Sequence, residues 1–291
     1  MLLGVRLPNG AAVLPPATKT ANSLQLRTIV SATPEAVWSA FTDPVHLIRW
    51  FPLQASVMPG VAGILTLMWD EICSAWRISA WQPGRFLQVE ELLAFASKNE
   101  KLPAKARPGL TGWRILLEPD SGSRTLVDLE HFGLGGSPEI FPIVARGWEF
   151  ELLSLRYYLE RQFGKDRSTI WLKKNLECEA GCEAEIWKAL VDAPSALPQT
   201  LGLEHVEIEE SPWQFAATLA EPGSCLFRVK IERLNQNQIQ VNLWLAAYNS
   251  SPAELRRLRA DFEQRLDQFK LGLYATSSSS NHSIAAPVRE S

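Results

Sequence analysis

Thr33-Pro34-Glu35-Ala36-Val37-Trp38 is the stretch that decides the fold, because it predicts the end of a strand and the start of a helix. Residues 24–31, just before it, alternate apolar and polar side chains and are typical of a β-strand. Thr33 is a suitable N-cap, and Pro34 suits the first helical position, whose N–H has no intrahelical partner. The apolar residues of the stretch and Phe41 then share one helical face. The sequence therefore predicts a strand followed by a short helix.

Turn residues divide the next eighty or so residues into strands. After a second short helix over residues 45–50, Pro59-Gly60, Pro83-Gly84 and Pro119-Asp120-Ser121-Gly122 separate β-prone segments. The predicted strands cover residues 56–58, 63–70, 74–81, 85–93, 111–118 and 124–132, and residues 96–109 are expected to form a loop. A long helix over residues 142–163 follows, because its apolar positions step by three or four.

The second half of the chain repeats the opening. Ile186, Trp187 and Leu190 are spaced like the apolar residues of the first helix, and a strand over residues 169–178 precedes them. Strands over residues 203–210, 213–219, 224–233 and 238–247 follow, and Ser251 and Glu254 form a capping box that starts a final helix. This order favours an internal duplication. The predicted domains are an extension (1–20), a first domain (21–165), a shortened repeat (168–274) and a disordered tail (275–291).

Several stretches of the first half resemble the activator-of-heat-shock-ATPase type of the START-like (SRPBCC) superfamily. They are Thr33-Pro34-Glu35-Ala36-Val37-Trp38, Leu47-Ile48-Arg49-Trp50-Phe51, Trp81-Gln82-Pro83-Gly84-Arg85-Phe86-Leu87, Leu129-Glu130-His131-Phe132-Gly133 and Gly147-Trp148-Glu149. The resemblance implies an α+β helix-grip fold, in which an antiparallel sheet curls around the C-terminal helix and leaves a cavity. Such domains bind apolar molecules, and some are cyclases, hydrolases or regulators of a chaperone ATPase. The second half is interpreted as a degenerate copy without a pocket.

Strand alternation identifies the residues that would face this cavity. The more apolar parity of the strands carries aromatic side chains with two polar ones, which is the usual composition of a small-molecule site. The predicted ligand-binding residues are Trp50, Trp76, Glu91, Trp113, His131 and Trp148. The alternative is that the tryptophans simply fill the core and that His131 bonds to a carbonyl group.

Nothing in the sequence marks an enzyme, and no catalytic residue is assigned. Glu91 and His131 are the one candidate acid–base pair, because a histidine beside a carboxylate in a dry pocket can transfer protons near neutral pH. A phosphate-binding glycine loop, a nucleophile elbow and a metalloprotease motif are all absent from the sequence. Cys178, Cys182 and His205 lack the spacing of a zinc site, so neither a metal nor a cofactor is predicted. The four cysteines do not resemble a disulfide framework.

The amino-acid composition of the chain indicates which classes of partner are expected. With 46% hydrophobic and 21% charged residues and a net charge of -3, the chain is typical of a globular protein without a nucleic-acid footprint. A signal peptide and a membrane span are not predicted, so a cytoplasmic location is expected. Three functions stay open: binding of a small hydrophobic ligand, a chaperone-linked interaction or stress-response module, and a cyclase- or hydrolase-type enzyme. A homodimer or a chaperone would be the protein partner.

Overall fold

The chain divides into two compact units, Met1–Arg167 and Ser168–Ser291. The computed structural model describes residues 18–19, 22–70, 72–97, 111–135, 140–177, 181–192, 197–220, 224–248 and 250–280. Each unit combines one sheet with helices, so the predicted α+β class is confirmed.

Unit 1 follows the predicted order of strand, two short helices, six strands and a long helix. Its strands are β1 (Thr18–Lys19), β2 (Ser23–Val30), β3 (Gln54–Val57), β4 (Ile64–Trp69), β5 (Ile72–Gln82), β6 (Phe86–Ser97), β7 (Gly112–Asp120) and β8 (Arg124–Phe132). Its helices are α1 (Pro34–Thr42), α2 (Pro44–Leu47) and α3 (Ile140–Arg161). The short strand β1 lies in the segment that was predicted to be an extension. The predicted loop 96–109 begins inside β6, and its remainder lies outside the described residues.

The eight strands of unit 1 form one antiparallel sheet in the order β1-β2-β8-β7-β6-β5-β4-β3. Neighbours in sequence pair with one another from β3 to β8, and β2 closes on β8. Register shifts in the β5–β6 pair mark bulges, which bend and twist a sheet locally. The single antiparallel sheet and its accompanying helices are consistent with a helix-grip fold.

Local signals start the helices where they were predicted. Thr33 accepts a hydrogen bond from the N–H of Ala36 at 3.4 Å, and Pro34 is the first residue of α1. Asp43 ends α1 and caps α2 through the N–H of Val45 at 2.9 Å. α3 buries Trp148 and, between Leu152 and Leu159, every residue except Arg156. Each of these features depends on neighbouring residues alone, which is why the sequence predicts them.

Unit 2 has fewer strands and the same kinds of element. Its strands are β9 (Arg167–Glu177), β10 (Leu203–Glu210), β11 (Gln214–Leu219), β12 (Cys225–Asn235) and β13 (Gln238–Tyr248), in the sheet order β10-β11-β12-β13-β9. Its helices are α4 (Glu183–Trp187), a π-helical turn (Lys188–Asp192), α5 (Leu197–Thr200) and α6 (Pro252–Ser280). That unit 2 is a degenerate copy of unit 1 stays a prediction.

The capping box of α6 forms as predicted. Ser251 Oγ accepts from the N–H of Glu254 at 3.3 Å, and the Ser251 N–H donates to Glu254 Oε2 at 2.8 Å. α6 continues to Ser280, into the segment 275–291 that was predicted to be disordered. The remainder of that segment lies outside the described residues.

The structure also gives the state of the cysteines and tests the described residues for metal sites and membrane-spanning helices. Cys182 is disulfide-bonded, a pairing that the scattered cysteines did not predict, whereas Cys73 and Cys225 are buried thiols. Within the described part of the chain, no group of His, Cys, Asp and Glu side chains could hold a metal ion. Among the same residues, no helix is long and apolar enough to cross a membrane.

Candidate functional site

Five of the six predicted site residues lie around the inner face of the unit 1 sheet, four of them placed there by strand register. Trp113 on β7 lies opposite His131 on β8 and Val89 on β6, and Trp76 on β5 lies opposite Glu91 on β6. Directly opposed residues share a face, as do residues two apart on one strand. Trp148 on α3 reaches this face and bonds to His131. We call these residues, with Val89, the inner wall.

The tryptophans of the inner wall contact one another. The ring centroids of Trp113 and Trp148 are 5.7 Å apart and those of Trp76 and Trp113 are 6.4 Å apart, both in edge-to-face geometry. All three side chains are buried. The indole N–H of Trp76 donates to Ser74 Oγ at 2.9 Å, so a local serine satisfies one of the buried donors. The wall is therefore an ordered aromatic surface.

Trp50 lies behind this wall. Its indole N–H donates to the carbonyl oxygen of Ala40 at 2.8 Å, and its ring packs on Phe41 and Phe51. Those two phenylalanines in turn contact Trp113 and Trp148. Trp50 thus packs on Phe41 and Phe51, and these two side chains contact the inner wall.

Phe41 and Phe51 contact the inner wall but were not among the predicted site residues. Phe41 belongs to the apolar stripe of α1, and Phe51 directly follows Trp50. The adjacent aromatic residues Trp50 and Phe51 could have indicated a contact with the sheet. The segment after α2 has no repeating apolar pattern, however, so the sequence does not show which of the two rings faces the sheet.

His131 is held in one orientation by Trp148. The Trp148 indole donates to His131 Nδ1 at 2.9 Å. An indole nitrogen is only a donor, so Nδ1 is an acceptor and the imidazole proton lies on Nε2. Nε2 is buried and has no hydrogen-bond partner among the described residues. Leaving a buried donor unpaired lowers the stability of a folded protein by roughly 1–3 kcal/mol, so the Nε2–H of His131 is a cost to folding.

Burial also keeps His131 uncharged. Desolvation lowers the pKa of His131 from 6.5 to about 4. The imidazole is therefore neutral at pH 7, which agrees with its role as an acceptor from Trp148.

Glu91 is the second polar group of the inner wall. Its side chain is half-buried and makes no hydrogen bond or ion pair within the described residues. Burial raises the pKa of the Glu91 carboxyl above its usual value. A carboxyl group in these surroundings is more easily protonated than one in water.

The structure does not bring Glu91 and His131 together as an acid–base pair. They stand on β6 and β8 with β7 between them, and Glu91 is displaced by two residues from the row Val89–Trp113–His131. Standard strand spacing and rise then separate their backbones by roughly 12 Å. The sequence alternation had identified the shared face correctly, but alternation carries no information about the separation along and across a sheet.

The opposite face of the sheet carries the charges that parity had placed outside. Arg77 pairs with Glu90 at 2.7 Å, and Arg27 pairs with Asp128 at 2.8 Å. Arg114 donates to Glu130 at 2.9 Å. In these partly exposed pairs each carboxylate has a guanidinium partner, whereas Glu91 lies on the other face of the sheet.

Comparison with known proteins finds solved structures that are similar to parts of this chain. No curated protein matches the chain. The Aha1 dimer from Colwellia psychrerythraea is 18% identical, covers 49% of this chain and 98% of its own, and has a TM-score of 0.41. DynU16 from the dynemicin biosynthetic locus is 14% identical over 83% of this chain and 93% of its own, with a TM-score of 0.40. CalU16 from Micromonospora echinospora is 24% identical over 48% of this chain and 74% of its own, with a TM-score of 0.37.

The family model described as Activator of Hsp90 ATPase homolog 1-like protein matches residues 31–160. This range runs from the end of β2 almost to the end of α3 and contains the whole inner wall. Residues 31–160 are therefore a domain of the Activator of Hsp90 ATPase homolog 1-like family with a START-type fold, as the sequence resemblance predicted.

Proposed function

We propose that unit 1 binds a small, mainly apolar molecule against its inner wall and performs no chemistry on it. The observation that carries this proposal is that the inner wall holds two polar groups for which the described residues supply no partner, the buried Nε2–H of His131 and the half-buried carboxyl of Glu91. A core that only stabilises the fold gains nothing from such groups, because each weakens folding. Apolar sites for small molecules combine this composition with a few convergent polar groups.

The rest of the wall supports recognition by shape. Trp76, Trp113 and Trp148 offer large, rigid surfaces, and aromatic rings in contact add roughly 0.5–1.5 kcal/mol beyond the area they bury. The indoles of Trp76 and Trp148 are oriented by hydrogen bonds to Ser74 and His131. A ligand would therefore meet a preorganised surface, which lowers the entropy cost of binding.

The separation of Glu91 from His131 argues against an acid–base reaction. A general base must lie within hydrogen-bond reach of the proton it removes, and a second group must be positioned to complete the transfer. His131 is also engaged at Nδ1 by Trp148 and is a poor base, because burial lowers its pKa to about 4.

Binding is tested on the full chain with 2-ethylnaphthalene, an apolar probe without hydrogen-bonding groups. We expect the probe to shift the indole ¹⁵N–¹H signal of Trp148 in a saturable manner. Trp113→Ala should abolish the shift because it removes the centre of the wall. Trp113→Phe is the milder variant should the alanine variant unfold, and Trp81→Phe, which alters a tryptophan that pairs with Trp38, should bind like the wild type.

Native mass spectrometry of the purified chain provides an independent test. We expect a neutral compound to co-purify with the wild type and to be lost from the Trp113 variants. If neither the probe nor a co-purifying compound binds to folded protein, the ligand-binding proposal is wrong. The predicted chaperone-linked interaction module would then be the function to test.

A further inference from the structure

We infer that the ligand of unit 1 carries a neutral hydrogen-bond acceptor, such as a ketone or ester carbonyl, which binds the Nε2–H of His131. This inference rests on the proposed function and specifies the chemistry of the molecule that the inner wall takes. Three features of the wall lead to it: the fixed tautomer of His131, the apolar surroundings of Nε2, and the carboxyl of Glu91 on the same face.

The tautomer determines which kind of group His131 can bind. A neutral imidazole carries one proton, and the Trp148 hydrogen bond at 2.9 Å holds the lone pair of Nδ1. Nε2 is therefore a donor and cannot accept from a ligand hydroxyl or amide. Trp148 acts as a positioning residue, because without its N–H the imidazole proton could move to Nδ1.

The neighbours of the His131 imidazole described here are aromatic and leave its Nε2–H without an acceptor. The imidazole lies 6.2 Å, centroid to centroid, from the Trp148 ring and directly opposite Trp113 in the sheet. An acceptor bound there would exchange an unpaired donor for a hydrogen bond in a region of low polarity, where such bonds are strong.

Glu91 argues against a negatively charged acceptor. Its carboxyl group belongs to the same face, two residues along β6 from the row that contains His131. A ligand carboxylate would lose its hydration and would also be repelled by Glu91 whenever that group is ionised. A neutral carbonyl avoids both costs.

The test compares three probes of one shape on the full chain at pH 7.5: 2-acetylnaphthalene, 2-ethylnaphthalene and 2-naphthoate. Isothermal titration gives the dissociation constants, and the Trp148 indole signal locates the site. We expect the ketone to bind about tenfold more tightly than the hydrocarbon, as one hydrogen bond of ordinary net strength requires. The carboxylate should bind more weakly than the ketone.

Substitutions in the inner wall separate the contribution of the hydrogen bond to affinity from the contribution of the wall's shape. His131→Phe should bind the ketone and the hydrocarbon equally, whereas His131→Gln, which keeps a donor, should retain part of the preference. Trp148→Phe should reduce the preference by releasing the tautomer, and Glu91→Gln should improve binding of 2-naphthoate.

Each outcome bears on one claim. Equal binding of ketone and hydrocarbon by the wild type would overturn the acceptor assignment while leaving the binding proposal intact. A ketone preference that survives in His131→Phe would also overturn it. Tighter binding of 2-naphthoate than of the ketone would refute the neutrality of the ligand, and failure of all three probes would count against the proposed function itself.

Discussion

His131 illustrates how one buried side chain links stability to pH. Its pKa is about 4 in the folded protein, against 6.5 for a free histidine, because burial disfavours the charged form. Between these two values the unfolded chain binds more protons than the folded chain. The stabilising effect of a neutral His131 is therefore complete above pH 6.5 and is lost progressively as the pH falls toward 4.

This linkage predicts a specific acid sensitivity. Lowering the pH from 7.5 to 5 should cost the wild type about 2 kcal/mol through His131 alone. His131→Gln cannot be protonated, so it should lose that much less stability over the same interval. Urea unfolding of both proteins at the two pH values measures the difference.

Ile115→Val controls for a general loss of stability at the same sheet. Ile115 is fully buried on β7, and removing one methyl group there costs about 1 kcal/mol without touching a titratable group. Its pH dependence should match that of the wild type. An equal loss in wild type and His131→Gln would mean that His131 is not the group that titrates.

At the scale of the element, β7 depends on a glycine at its start. Gly112 lies opposite Glu90 and Phe132. A Cβ atom built there would lie 2.2 Å from the carbonyl oxygen of Val89 and 2.5 Å from the Phe132 ring. The first contact is with backbone of the neighbouring strand, which cannot move without disturbing the pairing of Val89 with Trp113. The absence of a side chain at Gly112 therefore lets β6 and β7 lie close together and keeps Val89 paired with Trp113 in the inner wall.

Two glycine-to-alanine variants should consequently have opposite effects. Gly112→Ala should destabilise the protein by about 2 kcal/mol, as expected for overpacking. Gly147→Ala lies inside α3, where nothing is within 4 Å of the added methyl group. It should stabilise the protein by roughly 0.5–1 kcal/mol, because alanine is the better helix former. Thermal unfolding distinguishes the two, and effects of the same sign would contradict the argument.

At the scale of the whole molecule, the chain consists of two compact units, and the boundary in the sequence lies between Arg167 and Ser168. Unit 2 has its own core, formed by β9 and β11–β13 together with α4, the π-helical turn and α6; it includes Trp187, Phe215, Phe227 and Phe262. The inner wall and every contact ascribed to it belong to unit 1.

A fragment of residues 1–167 should therefore fold and bind the naphthalene probes with dissociation constants close to those of the full chain. Circular dichroism and the Trp148 indole signal report folding, and isothermal titration reports binding. A fragment that folds but fails to bind would show that the inner wall requires unit 2.

The order of elements follows from the sequence because its signals are local. Thr33 and Pro34 begin α1, Ser251 and Glu254 begin α6, and turn residues bound the strands within a few positions. Alternation also identified the inner face of β5 to β8 and the charges on the other side. These features depend on contacts between residues a few positions apart, which is the range over which sequence patterns carry information.

The composition of the inner wall was thus predicted from the sequence, but its chemistry was decided by the tertiary structure. The hydrogen bond from Trp148 to His131 joins a helix to a strand 17 positions away, and it determines the tautomer of the histidine. The distance between Glu91 and His131 depends on the register of three strands, and the support from Phe51 depends on how a segment without a period packs. Register and packing arise from many long-range contacts at once, so only the folded chain reveals that His131 is a fixed donor and that Glu91 is two strands away from it.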